Sequence, residues 1–290
     1  MKEIVIISGK GGTGKTSFCA ALAQHLQDDL VVADCDVDAA DLHLIFEPHN
    51  SLATDFYSGV LAHIDPLRCI DCGICAEKCR FDAISNASGQ YTVDAVDCEG
   101  CGYCYHLCPE NAISLKEQMV GQYMSSETRF ECTLVHARLR VGADNSGKLV
   151  AKVKAIAKDT AKDQGKSYLI VDGSPGIGCP VIASLSGADY VILVTEASQS
   201  GVSDLRRIWE LVKMFQIPGA LIINKADINP TVTKQLHSFA KKEKILLLPE
   251  ISYSDDFPKA ISMGQSILET NPARWQPVIS EIWKAIKERI

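Results

Sequence analysis

A predicted strand, a glycine-rich loop and a predicted helix follow one another at the start of this 290-residue chain. Residues 4–7 are apolar and β-branched, which is typical of a buried parallel strand. Residues 9–16 read GKGGTGKT and fit the pattern G-x-x-x-x-G-K-[ST], while residues 17–27 have apolar spacing near the helical period. Glycines let such a loop wrap with its N–H groups inward, and the helix N-terminus adds positive potential. The order therefore predicts an α/β fold with a phosphate-binding loop, and the flanking elements argue against a chance match.

Two lysines lie in this loop, and they carry different predictions. The pattern places Lys15 against the β- and γ-phosphates of a nucleotide and directs the Thr16 hydroxyl to Mg²⁺. Lys10 follows the first glycine, and the less favoured alternative, taken alone, is a solvated lysine beside a glycine turn.

The sequence KGGTGKT, with both lysines, resembles the deviant loop of the MinD, ParA, Mrp and nitrogenase iron protein group of ATPases. In that group the early lysine reaches the nucleotide site of a second subunit. The resemblance therefore implies an ATP-dependent dimer, either a homodimer or a heterodimer with a paralogue, in which Lys10 crosses over.

Three further motifs extend the resemblance. The sequence D-C-D-x-D-x-x-D-L after the second predicted strand implies that Asp36 positions the attacking water near Mg²⁺. The sequence D-x-x-P-G implies that Asp172 contacts the Mg²⁺ shell through water. In N-K-x-D, Asn224 is expected to contact adenine, and Pro249 begins a loop that lines the adenine in relatives.

These predictions give the following sites. Catalytic roles fall to Lys10, Lys15 and Asp36, and Mg²⁺ contacts fall to Thr16, Asp36 and Asp172. The residues expected to bind ATP are Gly9, Lys10, Gly11, Gly12, Thr13, Gly14, Lys15, Thr16, Ser17, Asn224, Lys225 and Pro249.

Composition and charge restrict the class of protein. A hydrophobic content of 47% with scattered charge indicates a globular protein, and the net charge of −7 gives no reason to expect a nucleic-acid partner. No apolar run approaches the ~20 residues that span a bilayer. The first strand begins at once, which leaves no room for a signal peptide, so we expect a cytoplasmic protein. The C-terminal helix mixes acidic and basic residues on its polar side, so we expect it to pack on the sheet without anchoring to a membrane.

Eight of the twelve cysteines form an internal repeat. The repeat is C-x₂-C-x₂-C-x₃-C, and its two copies are Cys69, Cys72, Cys75, Cys79 and Cys98, Cys101, Cys104, Cys108. This spacing is typical of bacterial ferredoxins with two [4Fe–4S] clusters. Zinc is the alternative, although zinc sites normally use separated CxxC pairs.

In such ferredoxins the last cysteine of each run ligates the other cluster. The resemblance therefore implies that Cys69, Cys72, Cys75 and Cys108 hold one cluster, and that Cys98, Cys101, Cys104 and Cys79 hold the other. One departure is Arg80, which stands where the usual pattern has proline. The remaining cysteines, Cys19, Cys35, Cys132 and Cys179, are expected to be small buried residues, with a redox or metal role as the alternative for Cys179.

The cysteine-rich segment is also acidic. Residues 65–115 contain eight acidic and three basic side chains, or five net negative charges. Such a surface could steer a basic redox protein partner, or it could be the ordinary solvated surface of a small domain.

The chain is thus expected to contain an α/β ATPase domain, residues 1–64 and 116–290, with a mostly parallel sheet and helices on both faces. An α+β domain of the bacterial ferredoxin type, residues 65–115, is expected as an insert. The preferred function is ATP-dependent electron transfer through two [4Fe–4S] clusters, with ATP and Mg²⁺ as further cofactors. The alternatives are an Mrp-like iron–sulfur carrier or assembly ATPase, and a regulatory ATPase whose clusters sense redox state.

Overall fold

The computed structural model describes residues 1–86, 89–140 and 146–290. The strands are β1 Lys2–Ile7, β2 Leu30–Asp34, β3 His49–Ile64, β4 Ile84–Asn86, β5 Tyr91–Val93, β6 Ile113–Glu127, β7 Thr133–Leu139, β8 Tyr168–Asp172, β9 Tyr190–Glu196, β10 Gly219–Asn224 and β11 Leu246–Leu247. The helices are α1 Lys15–Leu26, α2 Leu42–Phe46, α3 Ile74–Glu77, α4 Tyr103–Leu107, α5 Ser146–Asp163, α6 Cys179–Leu185, α7 Gln199–Met214, α8 Pro230–Glu243, α9 Asp256–Ser262, α10 Ile267–Thr270 and α11 Pro272–Lys287.

The chain divides into two compact units. Unit 1 contains Met1–Thr54, Tyr123–Arg138 and Ser146–Ile290. Unit 2 contains Asp55–Gln122 and a short stretch that begins at Leu139. The range 65–115, predicted as an insert, lies inside unit 2.

The main sheet has the strand order β11-β10-β9-β1-β8-β2-β7-β6-β3. From β11 to β7 every pair of neighbouring strands is parallel, with β1 central between β8 and β9. The predicted α/β fold with a mostly parallel sheet is therefore confirmed. Because the carboxyl ends of parallel strands meet at one edge, the loops after β1, β2, β8, β9 and β10 gather there.

Helices cover both faces of this sheet. Ile4 and Ile6 of β1 lie in the core cluster with residues of α1 and α11. Their neighbours Val5 and Ile7 point to the other face, since strand side chains alternate, and they are also fully buried. On that face α5 contacts β2 and β8, and α6 contacts β1.

The C-terminal helix α11 packs into the core as expected, with Ile279, Ile282 and Ile286 fully buried. None of the helices that the structure describes has the length and apolar character needed to cross a membrane.

Unit 2 is built on a repeated backbone. The short helices α3 and α4 each begin after a glycine, Gly73 and Gly102, and both glycines have φ of 73°. Left-handed backbone recurs at two more pairs of positions with the same spacing, Asp71 with Gly100 and Asp82 with Asn111. The repeat also appears in hydrogen bonding, because the Asp65 N–H donates to the Ala112 carbonyl and the Asp94 N–H to the Ala83 carbonyl. The two cysteine runs therefore fold as related halves.

Candidate nucleotide site and cysteine sites

A cavity of about 410 Å³ lies over the loop between β1 and α1, at the carboxyl edge of the sheet. The loop residues that line it are Gly11, Gly12, Thr13, Gly14, Lys15, Thr16 and Ser17, joined by Asp36, Asp38, Ser174 and Pro175 from the loops after β2 and β8. Its size suits a small ligand. The Thr13 and Ser17 hydroxyls are buried, and among the described residues they have no hydrogen-bond partner. Buried hydroxyls normally find a partner, so this cradle fits a ligand with phosphate oxygens.

Two glycines give the loop its path. Gly12 and Gly14 have φ of 76° and 96°, in the left-handed region that side chains disfavour. Gly14 also lies against Asn224, whose Nδ2 would stand 2.7 Å from an added Cβ. The sharp turn into α1 therefore depends on glycine at this point.

Lys15 is buried between two carboxylates. Its Nζ lies 2.8 Å from Asp172 Oδ1 and 3.4 Å from Asp36 Oδ2. Burial lowers the pKa of Lys15, but the two carboxylates outweigh burial, and the pKa is raised above its ordinary value. Burial also raises the pKa of Asp36, which Lys15 partly offsets. The structure thus brings these three predicted residues together, while their roles with Mg²⁺ and with the attacking water stay predictions.

Asp34 shapes the loop that carries Asp36. It is fully buried and accepts hydrogen bonds from the Asp36 and Leu42 backbone N–H groups. Burial raises the pKa of Asp34 well above its usual range.

Glu196, at the end of β9, links two predicted lysines and is absent from the sequence-based site. Its Oε1 lies 2.6 Å from Lys10 Nζ, and its Oε2 lies 3.0 Å from Lys225 Nζ. Burial opposes ionisation, but the two lysines overcome it and lower the pKa of Glu196 to about 2. Lys10 also donates to Ser200 Oγ at 2.9 Å. A carboxylate at the carboxyl end of a buried strand in the same sheet was the signal that could have identified Glu196.

The residues expected near adenine contact the phosphate-binding loop itself. Asn224 Nδ2 donates to the Thr13 carbonyl at 2.9 Å, and Lys225 Nζ donates to the Gly12 carbonyl at 3.2 Å. Asn224 is the buried last residue of β10 and Lys225 follows it, so the two residues connect the loop to this strand. Pro249 lies just after β11 at the same edge of the sheet. Adenine contacts by these residues remain a prediction.

Two cavities in unit 2 divide the eight repeated cysteines. One cavity, of about 20 Å³, is lined by Cys69, Cys72, Cys75 and Cys108, which we call site A. The other, of about 270 Å³, is lined by Cys98, Cys101, Cys104 and Cys79, which we call site B, together with Cys75. Each site thus combines three cysteines of one run with the last cysteine of the other.

The cysteines lie against a small apolar core. Ala62, Ile64, Ile84 and Ile113 form this core, and six of the eight cysteines pack against it. At site A, the Ala112 backbone N–H donates to Cys108 Sγ at 3.2 Å. Over the described residues, no three His, Cys, Asp or Glu side chains converge on a point that could hold a single metal ion.

The other cysteines differ in exposure. Cys19, Cys35 and Cys132 are buried, as expected, but Cys179 is exposed. The interpretation of Cys179 as a small buried residue is therefore wrong. It is the first residue of α6, and the buried residues of that helix begin at Val181.

Comparisons with known proteins agree with this geometry. The model of the CobQ/CobB/MinD/ParA nucleotide binding domain matches residues 4–267. The uncharacterized protein MJ0578 of Methanocaldococcus jannaschii is 31% identical over 292 residues, covering 99% of this chain and 97% of the relative. A second protein of that organism, MJ0579, is 27% identical over 280 residues, covering 94% and 95%.

Among solved structures, the septum site-determining protein MinD of Pyrococcus horikoshii, complexed with Mg-ADP, superposes with a TM-score of 0.60. It is 15% identical, and the match covers 98% of this chain and 95% of the other, so this likeness concerns the fold. With a strand, glycine loop and helix that form a phosphate cradle, and with a family model matched over most of its length, the chain belongs to the CobQ/CobB/MinD/ParA family of P-loop nucleotide-binding ATPases.

Proposed function

We propose that this protein is an ATPase that couples nucleotide-dependent dimer switching to electron transfer through two [4Fe–4S] clusters in unit 2. The observation that carries the proposal is the lining of two cavities by the eight cysteines of sites A and B, which agrees with the crossed arrangement that the resemblance to bacterial ferredoxins implies. A P-loop ATPase domain, residues 1–64 and 116–290, would thus carry a ferredoxin-like insert at residues 65–115.

The cysteines suit a cluster better than a single ion. In a cubane the four thiolates bind separate corners, so they surround a volume and do not converge on one point. The two cavities, one lined by four cysteines and the other by five, fit that arrangement. Site A is the narrower of the two, and its Cys72 is exposed at the surface. Bound clusters would each supply a one-electron acceptor at low potential.

The phosphate cradle suits ATP with Mg²⁺. Lys15 is already held under the cavity, and the Thr13 and Ser17 hydroxyls are available for phosphate oxygens. Bound nucleotide would exchange the carboxylate partners of Lys15 for phosphate, and so free Asp36 and Asp172 for the Mg²⁺ shell. Those two residues follow β2 and β8, so nucleotide state can be transmitted to both loops.

Lys10 would have different partners in the two states of the switch. In the chain by itself it is paired with Glu196 and Ser200, and in an ATP-bound dimer it would cross to the partner subunit. The partner would be a second copy of this chain or a paralogue. The net negative charge of residues 65–115 favours a basic redox protein as the external partner.

Two alternatives keep the same sites. In an Mrp-like carrier or assembly ATPase the clusters would be cargo. Four cysteines at each site leave no open coordination position on a cluster, which favours electron transfer over this alternative. In a redox-sensing regulatory ATPase, oxidation of the clusters would change the rate of hydrolysis. Rapid transfer of iron to an apo-ferredoxin supports the first alternative, and hydrolysis that depends on oxidation supports the second.

Anaerobic purification followed by iron, sulfide and EPR analysis tests the clusters, with about eight iron atoms per chain expected for two cubanes. ATPase assays of Lys15→Ala and Lys10→Ala then test the nucleotide site: the first should lose nucleotide binding, and the second should lose dimer-dependent hydrolysis. Transfer from dithionite-reduced protein to an acceptor should depend on ATP. Colourless protein would refute the clusters, and transfer that ignores ATP would refute the coupling.

A further inference from the structure

The two cysteine sites have closely related backbones but different charged surroundings. Corresponding residues of the two halves are 29 positions apart, and left-handed residues recur at that spacing. Backbone dipoles are therefore similar at the two sites. Cluster potentials depend on net charge, hydrogen bonds to sulfur and exposure to solvent, so the difference between the sites must come mainly from side chains.

Basic side chains line site B. The cavity of site B is lined by Lys78 and Arg80 as well as by Glu99. Lys78 is an exposed residue whose Nζ lies 2.7 Å from Glu77 Oε1, so the Glu77 carboxylate offsets part of the positive charge of Lys78. The salt bridges of the described residues give Arg80 no carboxylate partner. Its charge is therefore the least compensated one at this site.

Two acidic residues lie at site A. Glu110 is the charged residue that lines this cavity, and Asp71 Oδ1 lies 3.7 Å from Cys69 Sγ. The nearby cation is Arg68, which donates to the Glu110 backbone carbonyl. One amide N–H bond to Cys108 Sγ favours reduction here, but an amide dipole is weaker than a full charge.

The internal repeat shows where the difference arises. The residues that correspond to Lys78 and Arg80 in the second half are Leu107 and Pro109. Because the last cysteine of each run belongs to the other site, the residues around Cys79 lie at site B. Two basic residues of the first half therefore lie at the site whose cysteines come mainly from the second half.

We infer that Lys78 and Arg80 set the reduction potential of site B above that of site A. This inference rests on the proposed function, because it requires a [4Fe–4S] cluster at each site. A nearby cation stabilises an added electron, and a nearby carboxylate destabilises it. A single electron given to the protein therefore resides at site B. An electron that enters at site A moves on to site B, so that site B becomes reduced and site A returns to the oxidised state.

The order of the two sites gives electron flow a direction. A one-electron donor, such as a low-potential iron–sulfur carrier, is best placed at site A, and the acceptor of the electron at site B. Arg80, the departure from the usual proline, is the residue that creates this direction.

A potentiometric titration of the full-length, anaerobically purified protein, followed by low-temperature EPR, tests the inference. Two separate one-electron steps are expected. Arg80→Gln should decrease the higher midpoint potential, that of site B, and leave the lower one, that of site A, unchanged. The preference of the electron for site B should fall by up to tenfold, which equals about 59 mV for one electron. Lys78→Gln should act in the same direction, to a smaller extent because of Glu77.

Arg68→Gln is the matched control, since it removes the same charge from the same unit but next to site A. Arg68→Gln should decrease only the lower of the two midpoint potentials, which belongs to site A. Glu110→Gln should increase that same potential. Equal midpoints in the unaltered protein, or a shift of the lower step by Arg80→Gln, would overturn the inference while leaving two clusters in place. Protein without iron and without an EPR signal would instead overturn the proposed function itself.

Discussion

Alanine substitutions at three glycines of the phosphate-binding loop separate backbone strain from steric conflict. An added Cβ at Gly11 meets open space, and the backbone there is outside the left-handed region. At Gly12 the Cβ also meets open space, but φ is +76°. At Gly14 φ is +96°, and the Cβ would lie 2.7 Å from Asn224 Nδ2. The three substitutions therefore add the same methyl group in three different physical situations.

The magnitudes follow from these geometries. Gly11→Ala should be neutral or stabilise the protein by about 0.4–1 kcal/mol, because alanine restricts the unfolded chain. Gly12→Ala should cost about 1–2 kcal/mol for a left-handed residue with a side chain. Gly14→Ala carries that cost plus about 1–3 kcal/mol for overpacking against a buried amide, or about 2–5 kcal/mol together. The Asn224 contact to the Thr13 carbonyl should be displaced as well.

Urea unfolding of nucleotide-free protein, followed by tryptophan fluorescence, measures these differences. Trp209, Trp275 and Trp283 are the only tryptophans and all lie in unit 1, so the signal reports the unit that contains the loop. The expected order of stability is Gly11→Ala, then Gly12→Ala, then Gly14→Ala. Equal losses at Gly11 and Gly14 would show that the loop does not have this conformation, and the steric reasoning would fail.

Three further predictions concern the charged residues and the cysteines. Glu196→Gln should cost roughly 2 kcal/mol at pH 7, because Lys10 and Lys225 both lose a charged partner. The pKa of Glu196 is lowered to about 2, so its contribution is complete above pH 4.5, and the difference from the variant should vanish as the pH falls from 4.5 towards 2 in acid unfolding curves. Lys15→Met should cost about 3–5 kcal/mol near pH 8, since two carboxylates lose their cation. The loss should be smaller near pH 5.5, because burial already raises the pKa of Asp36 and favours its protonation; equal losses at both pH values would contradict this explanation. The double variant Cys79→Ser/Cys98→Ser should retain about four iron atoms per chain if both cysteines serve site B, whereas ligation of Cys79 with its own run would damage both sites and leave almost none.

Local sequence was sufficient to predict the parts of this protein that local interactions form. The apolar run before the loop, the glycines of the loop and the helical spacing after it predict β1, the cradle and α1, because each depends on residues close together in the chain. The internal repeat of unit 2 was also visible in the cysteine spacing, whereas its short helices α3 and α4 were not predicted. Asp36 and Asp172, each assigned from a sequence motif, lie at one edge of the sheet, where both contact Lys15.

Tertiary structure alone decided how distant residues share partners. Glu196 bridges Lys10, which is 186 residues away in sequence, and Lys225, so its role follows from the adjacency of β9 to β10 and of β9 to β1. Asn224 fits a base-recognition motif, yet it contacts the Thr13 carbonyl, because β10 brings its amide under the loop. Lys78 and Arg80 line the same cavity as Cys98, Cys101 and Cys104 because the fold of unit 2 brings the end of the first run against the second. Sequence patterns encode which elements form, whereas contacts between elements depend on strand order and packing, which act over the whole fold.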